Sequence, residues 1–419
     1  MTNYRNLNVS VDTGKSSEKS SYLFTEPVKF HTPALNELIS IIAQDAKDRR
    51  SANSEAHPYL AWDVIRQSRL GALRLPIERG GGGASIRELF EVIIKLAEAD
   101  SDVAHSLRAH YSFVESLLIA PRDEQRDYWL QKIADGHIVG NATTELSSKN
   151  VGTKVFETKL SRDEGAYRLN GTKYFSTGTL YADFVLVTAS AVDETALSVV
   201  IPTNREGVIL EDDWDGIGQK LTGSGTTRFN NVLVKQEEIA GTYDKKTPFN
   251  SYLQLYLHAV ITGIMHNVVT DAAALVQNRK RTFSFAAANT PSDDPQLQQI
   301  IGEIASSAFG ASAIVLTAAE SLDQAVDSAV EGDIDYALSH EASVKAAQAK
   351  VMIDNIALQA ATRLFEVGGA SATRQSANLD RHWRNIRTIA SHNPTVYKAR
   401  AIGDYVVNGN ELPIKQVYF

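Results

Sequence analysis

The chain contains no cysteine in its 419 residues. That excludes disulfides, thiolate metal sites and thiol nucleophiles, and it fits a reducing compartment. Positive charge is not in excess either: 42 lysines and arginines stand against 50 aspartates and glutamates, a net charge of -8. Nucleic-acid binders gain affinity by neutralising phosphates, so no nucleic-acid partner is expected. No long apolar run reads as a membrane span and no signal-peptide pattern opens the sequence, so a cytoplasmic protein is expected, with no membrane partner. The ten histidines show no HExxH. His105 and His110, five apart, do not align on one helical face, so no metal site is expected. "GIGQKLTGSG", residues 216–225, has the glycines of a dinucleotide fingerprint, but it sits between strand-like runs with no helix after it, and it reads as a loop. Nothing in the chain looks built for a nicotinamide cofactor.

What is present falls into regions of different period. Residues 1–30 are polar around "GKSSEKSS" and read as a mobile tail. Over 31–136, "ALNELISIIAQDAKDRR" and "IRELFEVIIKLAEAD" place leucine and isoleucine every three or four positions, which predicts a helical domain. Between them the four glycines of "LPIERGGGGAS" predict a loop. From 137 to 245 the pattern turns to short β-branched runs, "DFVLVTAS", "LSVVIPT" and "RFNNVLV". "YRLNGTKYF" reads as a β-hairpin turning at Asn170-Gly171. From 246 to 419 long alanine-rich helical patterns return, as expected of a bundle.

Near the C-terminus, "RHWRNIRTIASHNPTVYK" puts Arg381, Arg384 and Arg387 on one helical face and then presents His392 where Asn393-Pro394 interrupts the helix. Such a charged face is usually solvated or ion-paired; guanidinium groups also suit a phosphate or carboxylate.

These phrases resemble the acyl-CoA dehydrogenase superfamily, in order, over about residues 35–410. "LPIERGGGG" is similar to its N-terminal glycine loop, "NATTELSSKNVG" to its first flavin-contacting strand and turn, and "LNGTKYFSTG" to its flavin-facing Phe-Ser-Thr segment. "FEVGGASA" with "RHWRNIR" resembles its C-terminal signature. The resemblance implies a mainly α fold with a central β domain: an N-terminal helical domain, a middle β-barrel and a C-terminal four-helix bundle, assembled as a homotetramer. A dehydrogenase of this family needs a carboxylate base. The places that would hold it read Leu253 and "ASHN", 390–393, and neither offers one.

"DDWDGIGQKLTGSGTTRFNNV" and "RHWRNIRTIASHNPTVYKARAIGD" instead resemble the branch of two-component, reduced-flavin-dependent monooxygenases. That resemblance implies transfer of one oxygen atom from O2 to a small organic substrate, an organosulfur compound by preference, through a flavin C4a-hydroperoxide. Reduced FMN, with FAD as the alternative cofactor, would come from a separate NAD(P)H:flavin reductase. Residue by residue it implies His392 and His110 at the reactive edge of the flavin. Asn141 and Thr177 would lie near the ring, with Ser176 preceding Thr177 on the same strand. Trp214 would pack beside the ring, Ser224 would lie close to the phosphate, and Arg281 would reach the phosphate from a neighbouring subunit. Without the resemblance, Trp214 reads as a core aromatic and Thr177 as a strand residue. Ile389 stands where close relatives carry a second histidine. Tyr111, Phe113 and Val114 are expected near the pocket. The other readings are an FAD-dependent acyl-CoA dehydrogenase, an N-hydroxylating monooxygenase, and a flavin-binding protein without catalysis.

Overall fold

The computed structural model describes residues 24–52, 56–146, 155–163, 165–242, 249–414 and 416. The expected tail lies mostly outside them. Where it is described it packs: Val28 is buried and its N–H donates to Ser68 O at 3.0 Å.

Helices come first: α1 (Pro33–Ser51), α2 (Tyr59–Gln67), α3 (Ile86–Ala99), α4 (Ser101–Ser106), α5 (Arg108–Ile119) and α6 (Glu124–Ala134). Their starts are written in the sequence. Ser85 accepts from Glu88 N while the Glu88 carboxylate accepts from Ser85 N, a closed capping box. Asp100 and Asp123 cap α4 and α6.

The middle region is one mixed sheet of β1 (Val139–Ala142), β2 (Lys159–Asp163), β3 (Ala166–Lys173), β4 (Phe184–Ser190), β5 (Ala196–Pro202), β6 (Val208–Leu210), β7 (Thr227–Val234) and β8 (Ile239–Thr242). The order is β6-β7-β3-β2-β4-β5-β8, with β1 parallel to β4. The expected turn at Asn170-Gly171 is not there. β3 runs straight through it, and the chain reverses between β2 and β3, where Asp163 faces Ala166 and Gly165 has φ 87°. Asn170-Gly171 marks a register shift against β7. A Cβ on Gly171 would meet Thr158 Oγ1 at 2.4 Å, and Asn170 Oδ1 accepts from Asn231 N at 2.8 Å. The dipeptide serves a bulge and a close approach, two uses of glycine that resemble a turn in sequence.

Helices then return as α7 (Phe249–Asn278), α8 (Pro295–Asp327), α9 (Tyr336–Gly368), α10 (Asp380–Ala390) and α11 (Thr395–Asn408). α7, α8 and α9 pack on one another, α10 lies against α7 and α9, and α11 against α9. α3 joins them, packing on α7 and α8, so one apolar cluster runs from the first helices into the last. Asp323 of α8 accepts from the N–H groups of Ile86 and Arg87 at 2.6 and 2.9 Å, fixing the start of α3. Contrary to the sequence reading, α7 and α8 are long and apolar enough to cross a membrane by length and composition. α7 earns that composition inside the protein, where it is buried along most of its length and carries the buried polar residues Gln254, His258 and Thr262.

The arginine face is spent within the chain. Arg381 reaches Asp271 and Asn267 of α7, and Arg384 reaches Asp380 and Ile217 O. Asn385 Oδ1 accepts from Gln219 N at 2.8 Å. α10 thereby clamps the 211–226 loop in place.

Candidate active site

A cavity of about 360 Å³ opens where α5, β1, the loop after β3, the start of α7 and the α10–α11 turn converge. Pro394 lacks the N–H a continuing helix would need, so α10 ends and α11 starts at Thr395. His392 rides on that short turn and lines the cavity, as do Asn393, Asn141 and Thr177. His392 is exposed toward the cavity it lines. Its pKa is held well below 6.5, first by burial and then by the Arg108 guanidinium. Arg108 Nη1 lies 3.4 Å from His392 Nε2, and Arg108 Nε donates to Leu253 O at 3.0 Å.

The 174–178 segment is not strand beyond Lys173. Phe175 has φ 57°, and the chain is laced to the 222–225 loop through Ser176 N to Gly225 O and Gly178 N to Thr222 O. This brings Thr177 Oγ1 within 2.8 Å of Ser224 Oγ, which in turn lies 2.6 Å from Thr222 Oγ1. Ser176 Oγ is buried and makes no hydrogen bond. Trp214 packs edge-on against Phe175 at 5.8 Å and donates to Gly218 O, away from the cavity lining. A buried hydroxyl without a partner, beside the hydroxyls of Thr177, Thr222 and Ser224, makes this a polar corner of the kind a flavin's polar groups need.

Like Trp214, the expected residues His110, Tyr111, Val114 and Arg281 do not line the cavity. His110 is fully buried: Nε2 donates to Gly71 O at 2.9 Å, and Nδ1 accepts from Val139 N at 3.2 Å. Burial lowers its pKa to about 4. Both nitrogens are committed to backbone, so His110 ties α5 to β1 rather than facing a flavin. The reason is helical geometry. Arg108, Ala109, Ser112, Phe113, Ser116 and Leu117 line the cavity, and a helix turns about 100° per residue, so His110, Tyr111 and Val114 point away. Arg281 is exposed on the segment after α7, outside the cavity lining, beside Phe283 and Phe285, 77% and 100% exposed.

Sequence reasoning missed Arg108, Gln254 and Asn393. Arg108 carried no motif signal. Gln254 carried none, since only the fold brings its Oε1 to 2.5 Å from Asn393 Nδ2.

Three family models match along the chain: the acyl-CoA dehydrogenase N-terminal domain over residues 37–137, the middle domain over 141–232 and the C-terminal domain over 255–397. A dibenzothiophene monooxygenase of Rhodococcus qingshengii is 31% identical over 365 residues, 82% of this chain and 86% of that protein. The probable FMNH2-dependent monooxygenase SfnC of Pseudomonas putida is 30% identical over 395 residues, 90% of this chain and 95% of its own. Among solved structures, the methanesulfinate monooxygenase MsuC of Pseudomonas fluorescens aligns with TM-score 0.82 and 28% identity, covering 93% of this chain and all (100%) of that one. The chain belongs to the acyl-CoA dehydrogenase superfamily, in the branch that holds these flavin-dependent monooxygenases.

Proposed function

We propose that this protein is an FMNH2-dependent monooxygenase that adds one oxygen atom from O2 to a small organosulfur compound. The observation that carries the reading is the cavity wall at the places where a dehydrogenase keeps its base. Both line the cavity, and they hold Leu253 and His392. The carboxylate in the described lining, Asp123, is committed as the cap of α6, accepting from Arg126 N at 2.6 Å. Abstraction of a proton from an acyl thioester has no base here.

Bound reduced FMN supplies the two electrons that turn O2 into one transferred oxygen atom and one water. Thr177 and Asn141 would hold the ring edge, and Ser176 and Ser224 the polar tail. Phe113, Leu117, Trp129, Leu186 and Leu253 keep water from the reacting centre. His392 lines the same wall, where its ring would hydrogen-bond at the reacting centre.

The chain has no dinucleotide fingerprint, which supports a separate NAD(P)H:flavin reductase as partner. Arg281 lies among exposed aromatics, which supports a homotetramer in which this arginine meets a neighbour's flavin phosphate. The absence of cysteine fits residence in the cytoplasm.

The test is rapid mixing of the protein and anaerobically reduced FMN with oxygenated buffer. A transient absorbance, distinct from both flavin redox states and outliving free-flavin oxidation, is expected. Reoxidation at the free rate, with bleaching of oxidised flavin by an acyl-CoA, would return the chain to dehydrogenase chemistry.

A further inference from the structure

α5 lines the cavity along its length, from Arg108 in its first turn to Leu117 in its last. Arg108 Nη1 lies 3.4 Å from His392 Nε2, so the first turn marks the His392 end. From there the helix rises about 13 Å to Leu117.

The far end is furnished differently. Arg126 of α6 donates from Nε to Leu117 O at 2.7 Å and from Nη2 to Leu118 O at 3.4 Å. These bonds serve carbonyls that the end of α5 leaves open, and they fix the plane of the guanidinium. Its third nitrogen, Nη1, is buried and makes no hydrogen bond. Trp129 stands three residues on, on the same face of α6. It is 3% exposed, and its Nε1 is likewise buried without an acceptor. Both residues line the cavity. Their neighbour in the lining, Gln125, is satisfied: its Nε2 donates to Glu237 O and Ile239 O. Among the described residues the Arg126 guanidinium meets no carboxylate. Asp123 accepts from the Arg126 backbone N–H, and Asp127 pairs with Arg79.

Two buried donors left open at one end of a cavity call for an explanation, because each has given up its bonds to water. An indole N–H and a guanidinium N–H only donate, so only an acceptor completes them. One positive charge and two donors match a carboxylate, whose two oxygens can each take one bond. The lining also offers Phe113, Leu186 and Ala240, apolar surface suited to a carbon chain.

We propose that Arg126 and Trp129 form a carboxylate subsite, and that the substrate is a long organosulfur acid with its sulfur at the His392 end. The sulfur rests on the monooxygenase reading above, the acid on the geometry of α6. The subsite decides which substrates enter and in which direction, and takes no part in oxygen transfer.

The test is calorimetric titration of the full chain, with oxidised FMN present. The probe is methylthio-octanoate, with sulfur at one end of the chain and the carboxylate at the other. Methylthio-octanol, equally long and uncharged, is the comparison. The acid should bind about tenfold or more tightly than the alcohol. Arg126→Gln and Trp129→Phe should each remove most of that preference, and Arg126→Lys should keep part of it. Circular dichroism checks the fold of each variant, since Arg126 also holds the end of α5. If Arg126→Gln does not fold, Trp129→Phe carries the test, because it keeps an aromatic ring and removes the donor.

The flavin phosphate is the other anion to be considered at this end. Affinities of the Arg126→Gln protein for FMN and riboflavin decide between the two sources. Both should match the wild type; weaker FMN binding with unchanged riboflavin binding would give the guanidinium to the cofactor and overturn the proposal. So would no binding of the acid, equal affinity for acid and alcohol, or a preference that survives in the folded variants. The flavin–oxygen experiment above contains no substrate. A long-lived transient without acid preference would therefore defeat this proposal alone, whereas acid preference with free-rate reoxidation would defeat the monooxygenase reading alone.

Discussion

Lys350 Nζ, fully buried on α9, donates to Ala390 O at 3.1 Å and so grips the last residue of α10 just before His392. The same ammonium pairs with Asp354 Oδ2 at 2.9 Å, and that oxygen accepts from Thr395 Oγ1 at 2.5 Å. Asn393 Nδ2 donates to Gln254 Oε1 at 2.5 Å. Residues on both sides of His392 are tied to one buried polar cluster, which makes the histidine's position a property of the bundle rather than of its own loop.

Lys350→Met breaks that cluster and leaves the Asp354 carboxylate short of a cation. Removing one partner of a buried pair costs about 3–5 kcal/mol. A fall of that order in urea-unfolding free energy is expected. Thr395→Val is the milder variant: reduced FMN should still be consumed while oxygenated product per flavin falls. Full product yield from Thr395→Val would show that the cluster does not position His392.

His110→Leu should lower stability more than it alters flavin handling. It orphans Gly71 O and Val139 N–H, at about 1–3 kcal/mol for each buried unpaired group. The pH dependence follows from burial, which lowers the folded pKa to about 4 from 6.5. A depressed histidine pKa means that the unfolded chain binds the proton first. The stability is therefore complete above pH 6.5 and lost as pH falls toward about 4. His105 and His382, also held near 4 by burial first, contribute in the same window. Unfolding free energies across pH 7 to 4 should show a shallower slope in His110→Leu. An unchanged slope with abolished oxygenation would restore a catalytic role.

Lys398 gives the opposite end of the pH scale. Burial, then repulsion from Lys350, lowers its pKa from 10.5 to about 7. The folded protein binds this proton less tightly than the unfolded chain, so stability rises with pH from about 7 to about 10.5. Lys398→Met should remove that rise, as read from chemical unfolding at pH 7, 8 and 9. A wild-type curve flat over that range, or a slope that survives the substitution, would place the ammonium in a wetter environment.

Ser176→Ala separates a ligand contact from a packing role. The hydroxyl is buried and unpartnered, so its removal should leave the flavin-free protein as stable or slightly more stable. FMN affinity, measured by fluorescence quenching, should weaken. A loss of stability with unchanged FMN affinity would assign Ser176 to the core.

Much of the architecture was legible because it rests on local rules. Helical spacing and the Pro394 break each act within a few residues. The hairpin at Asn170-Gly171 was misread for a related reason. The dipeptide reports a demand for unusual backbone, and only the distant partners Thr158 and Asn231 reveal that the demand is a bulge. The two histidines divided in the same way. His392 sits on a turn that a proline sets between two helices, whereas the direction of His110 depended on which face of α5 met β1.

The sequence by itself determined the helix–sheet–helix order, the family, the lack of a base at Leu253 and the presence of a histidine at the last helix break. The order of elements and the histidine at the break follow from residue type and spacing; the family and the missing base follow from the resemblance of whole phrases. Tertiary structure decided that Arg108 and His392, 284 positions apart, share one wall, that His110 does not, and that a buried lysine steadies the turn between α10 and α11. Long-range packing made those choices, since cavity walls and desolvated charge pairs arise only where distant segments exclude water together.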